Sequence, residues 1–150
     1  MNYILFICGH NAGRSQISQA LFNTEKKNFP YVDQNYEAIS AGTRPGDQLN
    51  PTVVEAMKEI NIDISDASIF HPKALNDPSI LAAGKNLQRA IIACDDSCVL
   101  PTGLPKLTLE KLNLPDPHHQ PIETVREIRN LVKTKILSLI QELNDAINQN

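Results

Sequence analysis

The order of apolar segments in the sequence predicts an α/β protein built on a parallel β-sheet with helices on both faces. Three observations carry that prediction. Short apolar runs alternate with stretches whose apolar residues recur every three or four positions, the signature of repeated strand–helix units. The first run, Tyr3-Ile4-Leu5-Phe6-Ile7-Cys8, is continuously apolar, as a central strand covered on both faces requires. Val125, Ile128, Val132, Ile136, Leu139, Leu143 and Ile147 repeat at helical spacing, which predicts a long amphipathic closing helix over 122–147.

Taken in order, the first strand stops at Gly9, and residues 9–13 turn into a helix that starts at Ser15. Ile17, Ala20, Leu21 and Thr24 set the face of that helix against the sheet, and Pro30 lies beyond its end. Residues 35–41 read as the second strand, closed by Gly42 and the turn Thr43-Arg44-Pro45-Gly46. Asn50 followed by Pro51 is an N-cap with proline at the first helical position, and Val53, Val54, Met57 and Ile60 form the buried stripe of the second helix. Pro72 and Pro78 break residues 65–88 into short helical or irregular pieces, after which residues 89–93 give a third strand. Pro101 to Pro105 is a loop, Leu107 to Leu112 supplies a fourth strand, and Pro115 and Pro117 bracket Asp116 in an exposed loop.

Size and composition narrow the function. A chain of 150 residues fits one domain, residues 1–150, with no linker, repeat or low-complexity tract. Net charge is −3, with basic and acidic side chains interspersed, so neither a nucleic-acid face nor a polybasic membrane anchor is expected, and an anionic substrate must be captured by local groups. The N-terminal apolar run is far shorter than a signal sequence or a membrane span of about 20 residues, which leads us to expect a cytoplasmic protein. Cys8, Cys94 and Cys98 are an odd number of cysteines in such a chain, which argues against a structural disulfide framework and leaves catalytic or redox-active thiols. No metal site is expected from a single C-x3-C without a second pair.

The chemistry concentrates in Cys8-Gly9-His10-Asn11-Ala12-Gly13-Arg14-Ser15, a cysteine, five residues, arginine and serine. A loop this short between a strand and a helix turns its backbone N–H groups inward beside the positive end of the helix dipole, making a nest for an oxyanion. Gly9, Ala12 and Gly13 allow close backbone approach, and Asn11 tolerates a left-handed conformation. Cys8 at the rim would be held as a thiolate nucleophile by those N–H groups and by Arg14. Arg14 offers two parallel hydrogen bonds to a tetrahedral anion, and Ser15 adds a hydroxyl donor to the sulfur.

The stretch Ile4 to Gln16, together with Ser40-Ala41-Gly42-Thr43, Asn50-Pro51, Ile62-Asp63-Ile64-Ser65 and Leu114-Pro115-Asp116-Pro117 in that order, resembles the low-molecular-weight protein tyrosine phosphatase superfamily. The resemblance covers nearly the whole chain and implies a single-domain three-layer sandwich of the phosphatase I-like type, a four-stranded parallel sheet with helices on both faces. His10 to Gln16, Thr43 to Gly46 and the two later cysteines look like its arsenate reductase branch. That branch implies attack of Cys8 on arsenate, oxygens held by Arg14 and the loop from Gly9 to Ser15, and Asp116 as general acid. It also implies a thiol relay through Cys94 and then Cys98, which as residues four apart on a helical turn would lie about 6 Å apart at their Cα atoms, within disulfide range. Thioredoxin or a small thiol would be the external reductant, with no bound cofactor. Cys94 and Cys98 stand closer together than the corresponding pair in thioredoxin-linked relatives, and Gln19 stands where some relatives carry an acidic residue that helps bind potassium.

Two other readings use the same residues. A phosphotyrosine phosphatase would need Cys8, Arg14 and Asp116 but neither later cysteine. A non-catalytic oxyanion sensor would need no general acid, and a phospho-carrier would lack an arginine closing the loop. His118 and His119 read as solvated loop residues in preference to lining the entrance, and His10 as part of the pocket rim.

Overall fold

The computed structural model describes residues 1–94 and 109–146. β1 (Asn2–Cys8) leads through a loop into α1 (Arg14–Glu25), and a single 3-10 turn at Lys26–Asn28 joins it to α2 (Pro30–Asn35). β2 (Tyr36–Gly42), α3 (Pro51–Lys58), α4 (Pro78–Ala83), β3 (Leu87–Ile92), β4 (Leu109–Lys111) and α5 (Ile122–Asp145) follow. The four strands form one sheet in the order β2-β1-β3-β4, and every neighbouring pair is parallel. The α/β class, the parallel sheet and the four strands are as the sequence predicts.

β1 lies in the interior of the sheet, and its alternate residues serve opposite cores. Ile4 and Phe6 pack with α1, α3 and α5, where Ile17, Leu21, Phe22, Val53, Met57, Val125, Val132 and Ile136 are buried. Leu5 and Ile7 face the other way, onto Ala41, Ala90 and Ile80 of α4. Helices cover both faces, but unequally. The face bearing α5 holds the larger core, and the six-residue α4 with the segment before it covers the other.

Some local expectations shift. Thr24 is exposed, and the buried stripe of α1 turns onto Phe22, whose ring meets Phe6 at 6.4 Å between centroids. α1 packs against both the sheet and α5, so its buried arc is wider than a one-sided helix would show. Pro30 is the first residue of α2 rather than only a stop, and Lys26 ties that helix to β2 by donating to the Asp33 and Tyr36 carbonyls at 3.3 and 2.8 Å. Asn50 caps α3 as expected, its side chain accepting from the Thr52 N–H at 3.0 Å with Pro51 first in the helix. α5 runs to Asp145 with Val125, Ile128, Val132, Ile136, Leu139 and Leu143 buried. Ile147, Cys98, the Pro101 to Pro105 loop and Leu107 lie outside the described residues.

Candidate active site

In an open α/β sheet, ligands bind beyond the carboxyl ends of the strands, where neighbouring strands leave in opposite directions. β1 sits at that point, with β2 on one side and β3 on the other, and its last residue is Cys8.

The loop after β1 is held from outside. The carbonyls of Cys8, Gly9 and His10 accept from the backbone N–H groups of Thr43, Arg44 and Gly46 at 3.1, 2.8 and 2.9 Å. Those of Ala12 and Gly13 accept from Asn50 and Ile17, both at 2.9 Å, and the Asn11 carbonyl accepts from Gln16 Nε2 at 3.2 Å. Within a trans peptide the N–H points opposite to the C=O. With six successive carbonyls turned outward, the N–H groups of residues 9–14 face the inside of the loop, which makes the expected nest. One of them is visibly engaged, as the Asn11 N–H donates to Cys8 Sγ at 3.2 Å.

The close fit explains two glycines. A Cβ on Gly42, which pairs with Cys8, would stand 2.7 Å from the Gly9 carbonyl oxygen, and one on Gly13 would stand 2.9 Å from Pro117 Cγ. Asn11 takes the left-handed conformation, φ 52°, and is fully buried.

Behind the sulfur lies a chain of buried polar groups. Asn11 Nδ2 donates to Ser15 Oγ at 2.7 Å, and Ser15 Oγ lies 2.8 Å from Cys8 Sγ. Because Ser15 accepts from Asn11, its single hydroxyl proton is free to point at the sulfur, so the sulfur is met by an O–H and an N–H donor. Asn11 Oδ1 in turn accepts from Gln16 Nε2 and from the Lys73 N–H, each at 3.0 Å.

Arg14 and Asp116 complete the front. Arg14 is buried, its Nη1 donates to the Leu114 carbonyl at 3.0 Å, and its Nη2 stands 3.9 Å from Asp116 Oδ1. Asp116 is exposed, and its Oδ1 also accepts the His118 N–H at 2.9 Å. Cys8, His10, Ala12, Gly13, Arg14 and Asp116 open onto one cleft of about 490 Å³. Leu49, Asn50, Pro51, Thr52, Pro117, His118 and His119 also line it.

The structure therefore brings Cys8, Arg14 and Asp116 together, with Asn11 and Ser15 behind the loop. Cys94 follows β3 and joins Cys8 and Ile92 in one buried cluster. It is disulfide-bonded, whereas Cys8 is a free thiol. Cys98 lies outside the described residues. The sequence favoured a solvated role for His118 and His119 over one lining the pocket, and they line the cleft; it did not point to Gln16, Lys73, the cleft wall from Leu49 to Thr52 or the Leu114 carbonyl. Nothing in a single sequence signals the last, since it acts through its backbone. Among the described residues no cluster of three or more metal-ligating side chains occurs, and no helix is long and apolar enough to cross a membrane.

A central parallel strand ending in a cysteine, a loop of inward-facing N–H groups closed by arginine, and an aspartate loop lining the same cleft define a class of protein: the chain belongs to the low molecular weight phosphotyrosine protein phosphatase family, whose model matches residues 3–149. Within it the chain is 30% identical to the putative arsenate reductase of Halobacterium salinarum, over 93% of this chain and 91% of that one. It is 31% identical to the arsenate reductase of Staphylococcus aureus strain Newman, over 89% of this chain and 92% of the relative. Among solved structures, an arsenate reductase in the phosphate binding state superposes with a TM-score of 0.75 at 24% identity, over 95% of this chain and 98% of the other, which shows a common fold.

Proposed function

We propose that this protein is an arsenate reductase that works through Cys8 and a thiol relay. The observation that carries this reading is the burial of Cys94 in one cluster with Cys8 and Ile92, at the carboxyl ends of the neighbouring strands β1 and β3. Phosphoryl transfer needs no second sulfur there. A reductase does.

The Cys8 thiolate attacks the arsenic of arsenate, forming an S–As bond while one arsenic–oxygen bond breaks. The departing oxygen leaves as water, taking its proton from Asp116, whose Oδ1 is occupied by the His118 N–H and whose Oδ2 is left to carry that proton. Loop N–H groups and the Arg14 guanidinium hold the remaining oxygens and stabilise the charge that develops on them.

In the second step the Cys94 thiolate attacks Cys8 Sγ. The S–As bond pair stays with arsenic, which falls from As(V) to As(III) and leaves as arsenite, while the two thiolates become a disulfide. Cys98 then displaces Cys8 from Cys94, and an external thiol reductant, thioredoxin or a small thiol, reduces the resulting pair. Ser15 and the Asn11 N–H stabilise Cys8 as the leaving thiolate in that exchange.

Arsenite release with thioredoxin, glutaredoxin and small-thiol systems tests the proposal. Wild type is expected to turn over with at least one donor, Cys8→Ser with none, and Cys94→Ser to stop after at most one equivalent of adduct. Full activity of Cys94→Ser would exclude the relay.

A second reading, phosphatase activity on an organic phosphate ester, is favoured by the cleft. Its volume of about 490 Å³ lies in the range of about 300–1,000 Å³ typical of pockets that enclose whole small molecules, more than a bare oxyanion fills. Rapid hydrolysis of p-nitrophenyl phosphate by the Cys94→Ser, Cys98→Ser double variant, without arsenate turnover by wild type, would select it.

A further inference from the structure

Gln16 is the second residue after Arg14, in the first turn of α1, and is fully buried. Its Nε2 stands 3.2 Å from the Asn11 carbonyl, 3.0 Å from Asn11 Oδ1 and 3.1 Å from the His71 carbonyl, so two N–H bonds serve three acceptors. Its Oε1, equally enclosed, has no hydrogen-bond partner among the described residues. A buried amide with an unsatisfied oxygen costs stability compared with an apolar side chain of the same shape. What glutamine offers at this position is its pair of donors.

Two of the three acceptors belong to Asn11. The carbonyl and the side-chain oxygen of Asn11 are pinned by one NH2 group, which fixes the backbone in its left-handed turn and orients the side-chain amide. With Oδ1 held by Gln16 and by the Lys73 N–H, Nδ2 has to point at Ser15 Oγ. That contact directs the Ser15 hydroxyl proton to Cys8. Gln16 itself touches neither the sulfur nor the cleft.

We infer that Gln16 is a positioning residue, which sets the reactivity of Cys8 through Asn11 and Ser15 while also tying the loop to the segment around His71. The inference rests on the thiolate chemistry of the preceding section. It adds a residue outside the reacting set.

The test is the iodoacetamide alkylation rate of Cys8 as a function of pH, read from the Cys8 peptide by mass spectrometry, in wild type, Gln16→Met, Ser15→Ala and the double variant. Gln16→Met is expected to slow alkylation at pH 6.5 about tenfold, the effect of one hydrogen bond to a charged group, and to move the pH profile to the alkaline side. In the Ser15→Ala background the same change should alter the rate less than about twofold, because the path to the sulfur is already cut. A merely structural glutamine would give equal factors in both backgrounds, and that result would overturn the inference, as would wild-type reactivity in Gln16→Met. Gln16→Glu, which keeps the length and replaces the donors by an acceptor, gives a second reading with the same expectation if the methionine variant does not fold. Wild-type Cys8 reacting no faster than free cysteine at pH 6.5 would instead defeat the thiolate reading, and the positioning role with it.

Discussion

Arg14 divides its guanidinium between an anchor and the cleft. Nη1 is committed to the Leu114 carbonyl at 3.0 Å, and that bond orients the planar fork so that the other edge meets the cleft and Asp116. An ammonium group has no second edge to hold in place, so lysine at this position keeps the charge but loses the paired hydrogen bonds. We predict that Arg14→Lys lowers kcat/KM for arsenate by about 10²–10³-fold, the usual loss when one oxyanion donor is removed, with folding stability largely kept. Steady-state kinetics beside thermal melts check it. The juxtaposition of Cys8 and Arg14 was legible in the sequence because both lie within eight consecutive residues of one strand–loop–helix turn. Gln16 stands in the same stretch, but its contacts were not legible there, since its acceptor at His71 is 55 positions away and the Lys73 N–H that shares Asn11 is 62 positions from Asn11.

At the scale of elements, the loop depends on how closely the end of β2 is docked against it. Gly42 ends β2 against the Gly9 carbonyl, where an added Cβ at 2.7 Å would meet fixed backbone. Gly42→Ala is therefore predicted to destabilise the fold by about 1–3 kcal/mol and to lower activity beyond that loss by shifting the nest. Urea denaturation compared with kcat/KM separates the two effects. α5 is tied to the end of α3 by Arg126 and Arg129, which both bind the Glu59 carboxylate, while Arg129 Nη1 also donates to the Ala56 carbonyl at 2.7 Å. Hydrogen bonding from Arg126, and then from Arg129, pulls the Glu59 pKa from 4.5 down to about 2. A carboxyl depressed in the folded state adds stability above its unfolded value, and that contribution fades as pH falls from about 4.5 toward 2. The melting temperature of wild type should accordingly fall more steeply over that window than that of Glu59→Gln. Equal slopes would mean that the exposed clasp contributes nothing. The long periodic helix α5 could be read from its apolar spacing, whereas α2, six residues long, is too short to show a period.

For the whole molecule, strand order matters most. With β1 between β2 and β3, the first loop of the chain lands where the sheet opens, and residues from β1, α1, the start of α3 and the loop at Asp116 converge on one cleft. The sequence showed alternating strands and helices but could not show that order, because parallel pairing is set by contacts between segments far apart in the chain. It also could not show that the aspartate loop, through Pro117, and the start of α3, through Val53, both close on Gly13. All of the proposed chemistry depends on Cys8 being an ionised sulfur inside an anion-binding loop. The most direct test is iodoacetamide labelling of Cys8 at pH 7 with increasing arsenate or phosphate. The account predicts rapid labelling of Cys8 that either oxyanion slows in a saturable manner, with protection lost in Arg14→Lys. A Cys8 that resists labelling, or one labelled at the same rate at saturating oxyanion, would contradict it.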